Sequence, residues 1–160
     1  MILAGTGHRP DKLGGYSKAV FERLLALAAN ALDELDPELV ISGMAQGWDQ
    51  AIAMAAKLSG RPYDAYIPFE GQEAPWPDEA KIQYRMLLDG AEDIVICSPG
   101  GYSKHKMQIR NVRMVQDCSD VLALWNGTCG GTANCIAYAK NRMRPIHNYW
   151  PQWKTRHYEN

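Results

Sequence analysis

Asn126-Gly127-Thr128-Cys129-Gly130-Gly131-Thr132-Ala133-Asn134 follows the apolar run Val121-Leu122-Ala123-Leu124-Trp125 and opens a helix-like stretch ending near Arg142. A strand that breaks into glycines and restarts as a helix presents bare backbone N–H groups at a helix N-terminus. Such a terminus favours anions such as phosphate. Two other strand ends are built alike, Gly5-Thr6-Gly7-His8-Arg9-Pro10 and Ser42-Gly43-Met44-Ala45-Gln46-Gly47-Trp48-Asp49. Three such loops in 160 residues point to a nucleotide-binding α/β domain.

Working outward, Met1 to Thr6 reads as a buried strand, and Tyr16 to Leu35 as a helix with Val20, Leu24, Leu27, Ala28, Ala31, Leu32 and Leu35 at helical spacing. Pro37 ends that pattern. Leu39-Val40-Ile41 is a second strand, Asp49 to Leu58 a helix, and Tyr63 to Ile67 a third strand. A long loop, Pro68 to Pro77, precedes a helix that Asp78 caps and Gly90 stops. Ile94 to Cys97 is a fourth strand, Ser103 to Asp117 a helix, Val121 to Trp125 a fifth strand, and Thr132 to Arg142 a helix. Pro145-Ile146-His147 reads as a short sixth strand, and Tyr149 to Asn160 as an irregular aromatic tail over a core edge or a subunit contact.

Near-continuous apolar strands alternating with helices imply a mostly parallel sheet covered on both faces. Right-handed crossovers then bring every strand-to-helix loop to one edge, and ligands bind where the strand order reverses. In a 3-2-1-4-5 order the crevice falls between the first and fourth strands. One domain spanning residues 1–160 is expected.

Hydrophobic residues make up 46% of the chain, enough for a core, and the net charge is −1. That balance argues against a protein that coats nucleic acid, where a basic excess is expected, although Lys104, His105, Lys106, Arg110 and Arg113 cluster locally. No run of about 18 apolar residues exists to span a membrane, and no signal-peptide pattern opens the chain, so a cytoplasmic location is expected. Cys97, Cys118, Cys129 and Cys135 form no C-x-x-C pair and read as buried or half-buried free thiols. Neither a metal site nor a resident cofactor is expected.

Gly127, Gly130 and Gly131 permit close approach of backbone to a ligand. Arg110 is the candidate cation, one or two turns into the fourth helix, with Arg9 second. His8 either contacts a ligand ring or closes its turn. Asp49 is placed either to receive ribose hydroxyls or simply to favour a helix N-terminus.

The stretch Ser42-Gly43-Met44-Ala45-Gln46-Gly47-Trp48-Asp49, followed by Ala51, resembles the Ser-Gly-x-Ala-x-Gly-x-Asp signature of the SLOG superfamily. That superfamily includes DNA-processing protein A, the YpsA-like proteins and the LOG phosphoribohydrolases. The opening Gly5 to Pro10 is similar to the YpsA-like branch. So are Arg110-Asn111 through Met114, Asp117, Ser119-Asp120, Trp125-Asn126-Gly127 and Gly130-Gly131-Thr132. The resemblance covers residue 3 to about residue 147. It implies a Rossmann-like, doubly wound sheet of five to six strands and a nucleotide pocket. Its motifs place Gly5, Thr6, Gly7, His8, Arg9, Ser42, Gly43, Gln46, Gly47 and Asp49 in that pocket. From the second half of the chain they add Arg110, Asn111, Asn126, Gly127, Gly130, Gly131, Thr132 and Asn134.

One departure bears on chemistry. The LOG enzymes carry Pro-Gly-Gly-x-Gly-Thr-x-x-Glu, whose glutamate works on the N-glycosidic bond; this chain leads through Gly131-Thr132 to Asn134 without it. An amide supplies no proton near neutral pH, and general acid–base help is typically worth about 10²–10⁴-fold. No residue is therefore assigned a catalytic role. The expected function is binding of an NAD- or ADP-ribose-like molecule, as a sensor or sequestering protein, in a setting the resemblance suggests to be bacterial defence or phage counter-defence. An N-glycosidic hydrolase or transferase would need a replacement carboxylate from Asp49, Glu70 or Glu73. Single-stranded nucleic acid is a third reading, opposed by the charge balance. The resemblance also implies a homo-oligomer, dimer or tetramer, with the Arg110 helix or the Trp-rich tail supplying a contact.

Overall fold

A computed structural model describes the backbone of residues 1–158 and the side chains of residues 1–155. Six strands form one parallel sheet: β1 (Ile2–Gly7), β2 (Leu39–Ser42), β3 (Tyr63–Ile67), β4 (Asp93–Ile96), β5 (Asp120–Leu124) and β6 (Ile146–Asn148). The helices between them are α1 (Lys18–Leu35), α2 (Trp48–Leu58), α3 (Asp78–Gly90), α4 (Lys104–Asp117) and α5 (Gly131–Asn141). A last helix, α6 (Trp150–Tyr158), follows β6.

Two apolar layers sandwich the sheet. On one face α1, α2 and α3 contribute Leu24, Leu27, Trp48, Ile52, Tyr84 and Leu87 to a core that also holds Leu3, Val40 and Ala65. On the other, Met114 and Val115 of α4 meet Cys135 and Ala139 of α5 over Ala4, Ile41 and Val121. Alternate residues of each strand serve opposite faces, as the pleat requires. The doubly wound, Rossmann-like α/β architecture is therefore as expected.

The strand order is β4-β3-β2-β1-β5-β6, which corrects the expected 3-2-1-4-5. β4 extends the sheet outward from β3, and β5 returns to the centre beside β1. The order therefore reverses between the first and fifth strands, not the first and fourth. The misleading signal was Ile94-Val95-Ile96-Cys97, whose apolar continuity suits a central strand. In its edge position Ile94 is 45% and Ile96 49% exposed. Both align with Ala65 and Ile67 and lie on the α3 face of the sheet.

The C-terminal expectation is corrected too. Residues 150–158 are helical, with Trp153 N–H donating to Tyr149 O at 3.0 Å and the Trp153 side chain buried in the α1–α2 core. Proline at the second helical position costs no hydrogen bond there, and the indole supplies the anchor. Residues 159–160 of that expected tail lie outside the described residues. Among the thiols, Cys129 is exposed rather than half-buried.

Local chemistry sets the helix ends. The Ser17 hydroxyl accepts from Val20 N–H at 3.2 Å and caps α1. Ser17→Ala is expected to cost about 1 kcal/mol in urea unfolding; an unchanged midpoint and slope would show the cap to be idle. α3 starts after Pro77 without a side-chain cap, so Asp78 is its first residue and not its cap, and Gly90 is its last.

Candidate functional site

Asp49 lies in the first turn of α2, beneath the C-terminal edge of the sheet, and its side chain is almost wholly buried. The segment before it is shaped to put it there. Ser42 Oγ donates to Asp49 O at 2.7 Å and accepts from Met44 N–H at 3.1 Å. Gln50 Nε2 donates to Met44 O at 3.1 Å, holding Met44 at φ 63, a left-handed conformation that non-glycine residues rarely adopt. Gly47 has φ 94, and a Cβ there would sit 2.9 Å from His8 O, so the glycine lets the β1 loop come close.

Gly43 is required for a different reason. A Cβ on it would lie 2.6 Å from Arg110 Nη1 and 3.0 Å from Asp49 Oδ2. Arg110 comes across from α4 with its guanidinium buried: Nη1 donates to Gly43 O at 2.6 Å and Tyr66 O at 3.5 Å, and Nε to Asn111 Oδ1 at 2.9 Å. It lines the crevice as a buried group.

Burial pushes the Asp49 carboxyl up to about 6, against the opposing pull of Arg110, a backbone hydrogen bond from Ala45 and the charge of Arg9. Burial likewise lowers Arg110, and Asp49 opposes that shift. Two buried charges are thus held near each other at a net cost. One oxygen, Asp49 Oδ1, is buried with no hydrogen-bond partner among the described residues. Such an atom normally forfeits a sizeable desolvation penalty unless something donates to it.

Above Asp49 is a crevice of about 590 Å³ at the β1–β5 reversal. From the β1 end it is lined by Gly5, Thr6, Gly7, His8 and Arg9. The α4 side contributes Arg110 and Asn111, and the α5 side Gly130, Gly131, Thr132 and Asn134. α5 begins at Gly131 after Gly130, φ 142, with no side-chain cap, so its first-turn N–H groups have no intrahelical acceptor. The crevice also has a wall formed by Asp11, Lys12 and Ala45 with Tyr102, Lys104 and Gln108 of the segment 98–110; the strand order brings that segment to the border, but none of the six was singled out from the sequence as a ligand residue. Lys104 belongs to the basic cluster visible in the sequence; nothing in the pattern singles out Tyr102 except its Pro-Gly-Gly turn.

Six expected residues are elsewhere. Ser42 and Gly43 are internal supports, as described. Gly47 and Gln46 face cavities beside the crevice. Asn126 and Gly127 are exposed in the loop after β5. Asn126 nonetheless ties the rim together: its N–H donates to His8 Nε2 at 3.1 Å, and its Oδ1 accepts from Thr128 Oγ1 at 2.6 Å. His8, lowered by burial, sits edge-on to Trp150 with ring centroids 6.0 Å apart. It closes the turn by joining the β1 and β5 loops. Glu70 and Glu73 are absent from the crevice lining; Glu70 lies on an adjoining chamber.

This fold and crevice define the protein as an α/β protein with a doubly wound, Rossmann-like sheet. No protein-family model matches the chain. In sequence it is similar to an uncharacterized SPbeta prophage-derived protein, YoqJ, of Bacillus subtilis strain 168, 29% identical over 152 residues that cover 80% of this chain and 89% of that protein. In structure it is similar to DNA processing protein A of Streptococcus pneumoniae, with TM-score 0.67 and 21% identity over 91% of this chain. The chain spans 49% of that protein's length. DNA processing protein A from Helicobacter pylori, whose single-stranded DNA binding mode is described, superposes with TM-score 0.66 at 15% identity, covering 92% of this chain and 64% of that one. The molybdenum cofactor binding protein of Rippkaea orientalis gives TM-score 0.59 at 16% identity, covering 92% of this chain and 74% of that one. None of the helices among the described residues is long and apolar enough to cross a membrane.

Proposed function

We propose that the crevice binds a nucleotide or nucleotide-derived molecule of the NAD or ADP-ribose kind, and that the protein serves as its sensor or sequestering agent. The observation that carries this reading is Asp49 Oδ1, a buried and unpartnered oxygen of a residue that lines the crevice. A carboxylate oxygen accepts hydrogen bonds, so the ligand must bring a donor there, and a ribose hydroxyl is such a donor. The first turn of α5 and the charges of Arg9, Lys12 and Lys104 favour phosphate across the same space. Similarity to a prophage-derived protein supports a role in conflict between phage and host.

Calorimetric titration with a nucleotide panel that includes ADP-ribose and its cyclic forms tests this reading. One member is expected to bind, and Asp49→Asn to weaken it about tenfold or more, the loss of a charge-assisted hydrogen bond. No binding across the panel at high micromolar concentration would remove the proposal.

One observation favours turnover as a second reading: a carboxyl raised to about 6 inside a ligand crevice suits a general acid or base. Release of base from nucleoside monophosphates, followed by chromatography and abolished by Asp49→Asn, would establish it. The likeness to a protein described with single-stranded DNA favours a third. A gel shift that weakens steeply with salt would support that reading; no shift would dismiss it. Self-association belongs to the proposal as well, supported by the apolar surface at Ile94 and Ile96. Sedimentation velocity reads it, and a sole species at 17.9 kDa would rule it out.

A further inference from the structure

Beside the crevice lies a second chamber of about 870 Å³, and Arg9, Ala45, Tyr102 and Met107 line both spaces. Their chemistry differs. The crevice presents backbone amides, Asp49 and cations, whereas the chamber is walled by Tyr16, Phe69, Trp76, Met107 and Tyr102, with prolines 75 and 77. We propose that this chamber receives the nucleobase, a purine, of the ligand whose phosphate and ribose occupy the crevice. The inference rests on the reading of the crevice given above and adds to it the half of the ligand that the crevice does not recognise.

Three features point to a planar base. The first is Tyr102, which is 75% exposed on the shared wall although its neighbour Phe69 is buried. The two rings meet edge-to-face, 87° apart with centroids at 5.9 Å. An anchored aromatic ring open to solvent offers a base a stacking surface, and every base has a π-face to place on it. A second ring of the lining repeats the pattern: Trp76 is held edge-to-face on the buried Tyr84 with centroids at 5.2 Å, so its indole is braced. The second is volume. The chamber, at about 870 Å³ beside the crevice, is within the range of whole ligand pockets and has room for a purine. The third is Gln46 on the chamber wall. A glutamine amide both donates and accepts, the pairing that the N6 amino group and N7 of adenine present on one edge. Glu70, also in the chamber lining, is an acceptor suited to an exocyclic amino group and opposes a second phosphate there.

Gly100, at φ 79 in the turn before Tyr102, and the Lys106 ammonium, which donates to Pro99 O at 2.6 Å and Gly101 O at 2.7 Å, fix the loop that carries the ring. The stacking surface is thus positioned before any ligand arrives.

The test compares AMP with ribose 5-phosphate by calorimetry on the wild-type chain, Tyr102→Ala and Tyr102→Phe. Because Tyr102 is exposed, both variants are expected to melt with the wild type. The readout is the ratio of the two affinities within each protein, which cancels any effect on the crevice itself. AMP is expected to bind about tenfold or more tighter than ribose 5-phosphate. Tyr102→Ala should bring that ratio toward one, and Tyr102→Phe should keep it. Selective quenching of Trp76 by AMP, lost in Trp76→Phe, would add support. If both compounds bind equally to the wild type, the chamber assignment falls while the phosphate–ribose reading stands. A large ratio that survives Tyr102→Ala overturns the chamber assignment as well. Failure of both compounds to bind overturns the two readings together.

Discussion

Arg110→Ala is expected to destabilise the protein by about 3–5 kcal/mol, the usual cost of removing one partner from a buried charge pair. The side chain does three things in one place. Its Nη1 satisfies the carbonyl of Gly43, its guanidinium offsets the carboxylate of Asp49, and its Nε holds Asn111 on the crevice wall. Alanine leaves the Gly43 carbonyl with only the longer bond from Gln72 Nε2, at 3.4 Å, and drives Asp49 toward its protonated form, so the loss appears twice, in urea unfolding and in a carboxyl titrating above about 6. Arg110→Lys keeps a charge but not the planar fork, and should fall between the two. Anion affinity should drop with Arg110→Ala even at temperatures where the variant is folded. A variant within about 1 kcal/mol of wild type would show that Asp49 does not depend on this cation.

The second large effect is a pH dependence that runs opposite to ordinary acid denaturation. Burial pushes Asp49 up to about 6 in the native chain, against the ordinary aspartate value of 3.8. Between those values the native state still holds a proton that the unfolded chain has released. Stability from this group is therefore fully present below pH 3.8 and is lost as pH rises through about 6. The amount is on the order of 3 kcal/mol, from about 1.36 kcal/mol for each pH unit of separation. Measured against Asp49→Asn, which cannot titrate, wild type should lose about that much between pH 4 and pH 7. Parallel stability curves for the two proteins would contradict it. A ligand that donates a hydrogen bond to Asp49 favours the ionised form. Binding should then release protons near pH 6, and its heat should vary with the ionisation enthalpy of the buffer.

Much of this was legible from glycines and apolar runs. The loops after β1 and β5 were read as gathering at one edge, and they line one crevice. The signature around Gly43 marked the right segment, but for a reason invisible in it: Gly43 makes room for a guanidinium arriving from a helix 67 residues later in the chain. The edge position of β4 was hidden because Ile94 and Ile96 are apolar whether or not anything covers them. α6 was missed because Trp150, Trp153 and Tyr158 are too few to show a helical period, and the buried Trp153 docks the helix through a contact that no spacing reveals. Tyr102 is a tertiary property of the fold: a ring after two glycines gains meaning only when the chamber beside it is seen.

The contact of Gly43 with Arg110 has a consequence for descent. Any relative that acquires a side chain at the first position must shorten or withdraw the second, because the two cannot occupy the same space. These positions should therefore change together or not at all, and a lineage in which the arginine has been lost is where a larger residue at 43 becomes tolerable.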